Sequence, residues 1–147
     1  MNNNEVITTL NDLIETCKDG QEGFRNAAEN IRNSEFRRLF NIFSQQRAQF
    51  VSELQAEVHR LGGEAEDNGS IAGSLHRGLM NVRRMVPRNS NEAAIIAECQ
   101  RGEEAAVNAY QEALKADLPL DVQYVVKRQY MDIKDAYDRI RILQRAA

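Results

Sequence analysis

Between Phe36 and Leu61 the chain reads FRRLFNIFSQQRAQFVSELQAEVHRL, with apolar residues at Phe36, Leu39, Phe40, Phe43, Phe50, Leu54, Val58 and Leu61. Steps of three and four define an amphipathic helix whose apolar stripe other helices must cover. One gap interrupts the stripe, and the residue due to face inward there is Arg47, flanked by Gln46. A guanidinium on a buried stripe requires an acid or amide partner, because an isolated charge in a low-dielectric interior is prohibitive.

The remaining segments supply the helices that would cover it. Helix one is expected from about Glu5 to Arg32, with Asn3 or Asn4 as N-cap and Ile7, Leu10, Ile14, Cys17, Gln21, Phe24, Ala28 and Ile31 as its seam. Gly20 and Gly23 lie inside it, each costing about 1 kcal/mol relative to Ala. A break at Asn33-Ser34, with Ser34 as N-cap, leads into helix two (35–61), which stops at Gly62-Gly63. A polar loop, GGEAEDNGS, precedes a shorter helical pattern over 71–86 that Pro87 ends. Asn89 and Glu92 resemble a capping box for the next helix, 91–116. The last spans 120–145, starting just after Pro119, with Val122, Val126, Gln129, Ile133, Ala136, Tyr137, Ile140 and Leu143 on its apolar side.

At 147 residues this is the length of one domain, 1–147, and its 42% hydrophobic content suffices for a core. The net charge of −3 (19 Lys+Arg against 22 Asp+Glu) argues against a nucleic-acid partner. MNNNEVITTL lacks the basic start and apolar run of a signal peptide, and no stretch is apolar for long enough to cross a bilayer. Cys17 and Cys99 fall on apolar stripes about seven residues apart in level, near 10 Å, beyond disulfide reach. The expectation is two reduced core thiols in a cytoplasmic protein.

Short breaks near Asn33 and Leu118 make two antiparallel hairpins. The linker between them can retrace helix two, which is about 40 Å long, so helices two and three are expected to run parallel. This is the single-crossover topology of ferritin-like folds: an all-α four-helix bundle whose long second-to-third connection contains a short extra helix. The competing arrangement is a five-helix up-down array. In the crossover topology one level of the bundle holds Gln21, Glu22, Gln46, Arg47, Gly102, Glu103 and Ile133, with Gly20 and Gly23 alongside. The expectation is a mid-bundle polar layer: Arg47 paired with Glu103 or Glu22, Gln21 and Gln46 nearby, and glycine giving room for the guanidinium.

The segments LNDLIETCKDGQEGF, HRLGGEAEDNGSIAGSLHRG, AECQRGEEAAVNAYQEAL and AYDRIR resemble a bacterial family of small ferritin-like four-helix-bundle proteins known only as a domain of unknown function. The resemblance covers nearly the whole chain, implies a ferritin-like bundle and supplies no activity. Members similar to it often carry an acid near Gln46 and a histidine near Tyr137, and this chain departs at both.

A ferritin-like di-iron or di-manganese centre takes a Glu from each of two helices and Glu-x-x-His from each of the other two. Glu22 and Glu103 could serve as the lone glutamates, but helix two offers Gln46-x-x-Gln49 and helix four has no Glu or His. Arg47 would also place a positive charge among the metals. No cofactor and no catalytic residue are therefore expected. His59 reads as a surface histidine, and Tyr110, Tyr130 and Tyr137 as aromatics at the core edge. His76, Arg77, Arg83, Arg84 and Arg88 form a possible surface for an acidic partner or lipid headgroups. The leading functional expectation is a non-enzymatic bundle with a structural or stress-associated interaction role, through self-association or another protein. The alternatives are a metal-binding oxidase or storage protein, and an adaptor acting through the linker helix.

Overall fold

The computed structural model describes residues 1–65 and 91–146. Four helices account for nearly all of them: α1 (Asn3–Asn30), α2 (Ser34–Arg60), α3 (Glu92–Lys115) and α4 (Leu120–Ala146). The expected helix over 71–86 lies outside the described residues.

Three of the four helices start on an asparagine one or two residues from the expected cap. Asn2 Oδ1 accepts the Glu5 amide at 2.9 Å, Asn33 Oδ1 accepts those of Glu35 and Phe36 at 2.9 and 3.1 Å, and Asn91 Oδ1 accepts that of Ala94 at 2.8 Å. Each satisfies amides that the first helical turn cannot. Asn33 displaces Ser34 from the cap because it engages two amides at once, and Ser34 becomes the first helical residue. The α2 stop is a Schellman motif: Gly62 N–H donates to His59 O and Gly63 N–H to Val58 O, both at 3.0 Å, with Gly62 at φ +83°. Gly63 is fixed for a second reason. A Cβ there would lie 2.7 Å from Ile7 Cδ1.

Contacts around the bundle join α1 to α2 and α3, and α4 to α3 and α2. Going round, the order is therefore α1, α2, α4, α3, with α2 and α3 on a diagonal. Cys17 meets Tyr110, while Gly23 and Phe24 share a cavity with Cys99 and Gly102, so α1 and α3 are antiparallel. Glu53 meets Arg128 and Arg60 meets Asp121, so α2 and α4 are antiparallel too. With α1 and α2 joined by a tight turn, α2 and α3 run parallel, as the crossover topology requires.

The core divides into two apolar clusters. One, nearer the Asn33 turn, centres on Phe24, which stacks on Phe40 with ring centroids 6.0 Å apart and meets Phe43 at 5.3 Å. The other runs to the opposite end around Leu10, Leu54, Val58 and Val122. Between them lies a polar level. Replacing Asn33 by Ala should cost about 1–2 kcal/mol of unfolding free energy, since it strands two amides at the mouth of α2; a urea melt followed by circular dichroism measures it.

Candidate functional site

Arg47 is 1% exposed and Glu103 2%. Arg47 Nη1 donates to Glu103 Oε1 at 2.5 Å, and Nη2 donates to Glu103 Oε2, a bidentate pair. Because α2 and α3 are diagonal, this pair crosses the bundle axis. From α1, the Phe24 ring lies with its centroid 5.3 Å from the guanidinium carbon, a cation–π contact in a desolvated site. Gly20 leaves the space the arginine fills: a Cβ there would sit 3.3 Å from Nη1 and 3.4 Å from Cγ. Burial alone would lower the Arg47 pKa, but the Glu103 carboxylate outweighs it and the net shift is upward. The guanidinium is therefore charged wherever the protein is folded.

A second polar chain runs beside the pair on the Phe50 side. The Tyr110 hydroxyl donates to Gln129 Oε1 at 2.7 Å. A phenol has one proton to give, so the Cys17 thiol, 3.1 Å from the same oxygen, is the donor in that contact. Gln129 Nε2 donates to Glu53 Oε1 at 2.9 Å and to the Phe50 carbonyl at 3.4 Å. Arg128 Nη2 donates to the same Glu53 oxygen at 2.8 Å. The donors all point one way, from a buried thiol on α1 through α3 and α4 to a carboxylate on α2.

The titratable groups are set accordingly. Burial pushes the Cys17 thiol up to about 11, with nearby Arg47 only partly opposing it. Cys99 is raised by burial and by Glu103 and Glu98, and Tyr110 by burial and its neighbour Cys17. None of the three offers an anionic nucleophile at neutral pH. Burial would raise Glu53, but the hydrogen bonds from Gln129 and Arg128 prevail and hold its carboxyl below the usual range.

Of the expected layer, the structure brings together Arg47 and Glu103, with Gly20 beside them. Gln21 is half-buried and takes part through its backbone carbonyl, which accepts Ser44 Oγ at 2.9 Å. Glu22 is exposed and outside the layer. It is two residues from Gly20, which puts it on the far side of α1 from Arg47. Gln46 is half-buried, and its Oε1 is without a hydrogen-bond partner among the described residues. His59 is exposed. His76, Arg77, Arg83, Arg84 and Arg88 lie outside the described residues. Tyr110 is 0% exposed, not at the core edge, because its hydroxyl finds two internal partners.

Of the buried polar residues, Glu15, Asp19 and Ser44 are absent from the sequence reading, and Gln129 enters it only as a member of the α4 stripe. Gln129 was visible as an interruption of the α4 stripe, the same signal that marked Arg47. Asp19, 4% exposed, carries no such signal, since it falls between seam positions. It lines a cavity of about 30 Å³ between α1 and α3, with Gly20, Gly23, Cys99 and Glu103, room for about one water.

Among the described residues no group of three or more His, Cys, Asp or Glu is placed to hold a metal ion. Both Glu103 oxygens are engaged by Arg47, and Glu22 faces away. The described residues do not fit a di-metal carboxylate centre.

The four helices, with α2 and α3 parallel, form a four-helix bundle of the ferritin-like fold. Its architecture matches a two-domain protein from Anabaena variabilis that contains DJ-1/ThiJ/PfpI-like and ferritin-like domains: TM-score 0.77, 14% identity, over 99% of this chain. The chain spans 37% of the length of that protein. Residues 5–116 match the family Domain of unknown function (DUF2383), and the chain belongs to that family. No curated protein matches it.

Removing one member of the central pair leaves the other buried and unpaired. Arg47→Leu should cost about 3–5 kcal/mol of unfolding free energy, and adding Glu103→Leu should recover most of the loss or exceed the parent by about 1–4 kcal/mol. Guanidinium melts of the parent and the three variants read the cycle. Glu53 titrates from a depressed folded pKa, so its stabilisation is present above its ordinary value of 4.5 and is lost as the pH falls through the folded value. Glu53→Gln should lower stability at pH 7 by about 1 kcal/mol and flatten the acid side of the stability–pH curve, seen in thermal melts from pH 7 down to about 3.

Proposed function

We propose that this chain is a non-enzymatic ferritin-like bundle with a structural interaction role, in which a guanidinium–carboxylate pair stands where relatives of this class hold metal ions. The observation that carries the reading is the bidentate Arg47–Glu103 pair across the bundle axis. It places a positive charge at mid-bundle and engages both oxygens of Glu103. The surrounding groups support a role without turnover: the thiols and the phenol are held protonated, and the amide of Gln129 is committed to Tyr110 and Glu53.

The two cysteines are free and buried, which suits a reducing, cytoplasmic setting, and the family resemblance suits a bacterial source. No described helix is long and apolar enough to cross a membrane. In the Anabaena protein a ferritin-like domain is joined to a second domain. By fold analogy alone, the bundle here would serve as a module that acts on or beside a partner.

Elemental analysis of the purified protein, followed by calorimetric titration with iron(II) and manganese(II) at neutral pH, tests the absence of a cofactor. The expected result is no stoichiometric metal and no saturable heat. Two equivalents bound tightly would overturn the proposal and restore a metal-binding oxidase or storage protein.

A further inference from the structure

The outer face of α4 carries an apolar stripe. Leu120 is 83% exposed, Tyr124 70%, Met131 66% and Ile142 63%. Leu120, Met131 and Ile142 recur at a spacing of about eleven residues, 3.67 per turn, which keeps them in line along a straight helix, and Tyr124 falls on the same line. The buried residues of α4, among them Val122, Val126, Gln129 and Ile133, occupy the opposite side.

We propose that this stripe is a self-association surface, occupied by α4 of a second copy lying antiparallel about a twofold axis at Met131. The proposal names a partner for the interaction role above and rests on that role, not on the metal question. Turned end for end, the face is complementary to itself. Met131 meets the partner's Met131, and Leu120 meets the partner's Ile142, with the reciprocal contact at the other end, as a twofold interface demands. The flanking charges also match. Asp135 comes beside the partner's Arg128, and Asp138 beside the partner's Lys127. Within the chain Asp135 binds Arg139 through Oδ2 and Asp138 binds Lys134 through Oδ1, so each has its second oxygen to offer. A parallel pairing would instead set Lys127 against Lys127 and Asp135 against Asp135, which is repulsive.

Size sets the strength. The 27 residues of α4 span about 40 Å, and a strip about 10 Å wide gives roughly 400 Å², half of the roughly 800 Å² per partner of a standard stable interface. The dimer is therefore weak and depends on concentration.

Sedimentation equilibrium of the full chain from about 10 μM to about 1 mM brackets a contact of this size. The expected mass rises from the 16.7 kDa monomer towards twice that value. Met131→Glu, which sets two carboxylates face to face on the axis, should weaken association about tenfold or more. Lys127→Glu should weaken it as well, and the double change Lys127→Glu with Asp138→Lys should restore it. All three positions are exposed, and circular dichroism should show unchanged helix content. A single 16.7 kDa species throughout, or a dimer indifferent to Met131→Glu, would overturn self-pairing through this face and leave the metal-free layer standing. Failure of the charge swap to restore association would overturn the antiparallel register.

Discussion

A charged pair at the centre of a bundle is a constraint before it is a source of stability. Arg47 and Glu103 each lose their water on folding, and their attraction roughly offsets that loss. What the pair does provide is a condition on the alternatives. The apolar cores on either side of it are built from interchangeable Leu, Ile, Val and Phe, and such surfaces tolerate a slipped register at modest cost. A slip of one turn in α2 would drive Arg47 into hydrocarbon and leave Glu103 unpaired. On this reading the pair fixes the relative heights of α2 and α3, the two diagonal helices that share few other contacts.

The second polar chain extends that condition to the other helices. Cys17 on α1, Tyr110 on α3, Gln129 on α4 and Glu53 on α2 touch in sequence, so every helix contributes one member. Each link is directional: a thiol, a phenol and an amide donate in turn to an acceptor that is not donating back. Displacing any one helix along its axis breaks at least one link and leaves a buried polar atom unsatisfied. The chain ends near the surface, where Arg128 neutralises Glu53, so its single charge is not left in the interior.

The architecture was legible in the sequence because periodicity, turn residues and helix lengths all speak to topology. Gly62-Gly63 ended α2 by a mechanism the residues themselves specify, and the levels implied by the crossover placed Arg47 opposite Glu103. Legibility failed where the answer depended on angular phase about a helix. Gln21 and Glu22 share the level of Arg47, yet the face of α1 that meets it belongs to Gly20 and Phe24. Residues with no side chain to see, or only a ring, give no polar signal. The capping positions missed by one or two residues for a related reason: in runs such as NNN and NS several residues can cap, and the winner is decided by which side chain reaches an amide.

Charge balance limits what else this level can hold. A di-metal centre in a ferritin-like bundle gathers four carboxylates, which two divalent ions neutralise. A guanidinium brings a single positive charge and presents two donors to one carboxylate, so one acid balances its charge and takes both Nη groups, while the buried Nε–H has no hydrogen-bond partner among the described residues. A further buried carboxylate at that height requires compensation of its own, and Asp19, 4% exposed on the cavity it shares with Glu103, is such a group. The groups of the second polar chain nearest the pair hydrogen-bond without ionising: a thiol, a phenol and an amide. Once an arginine occupies the axis, an acid at Gln129 or Tyr110 becomes a liability. On the proposed reading, an arginine in place of metal involves several positions at once, and changing Arg47 alone would leave too few acids to hold a cation.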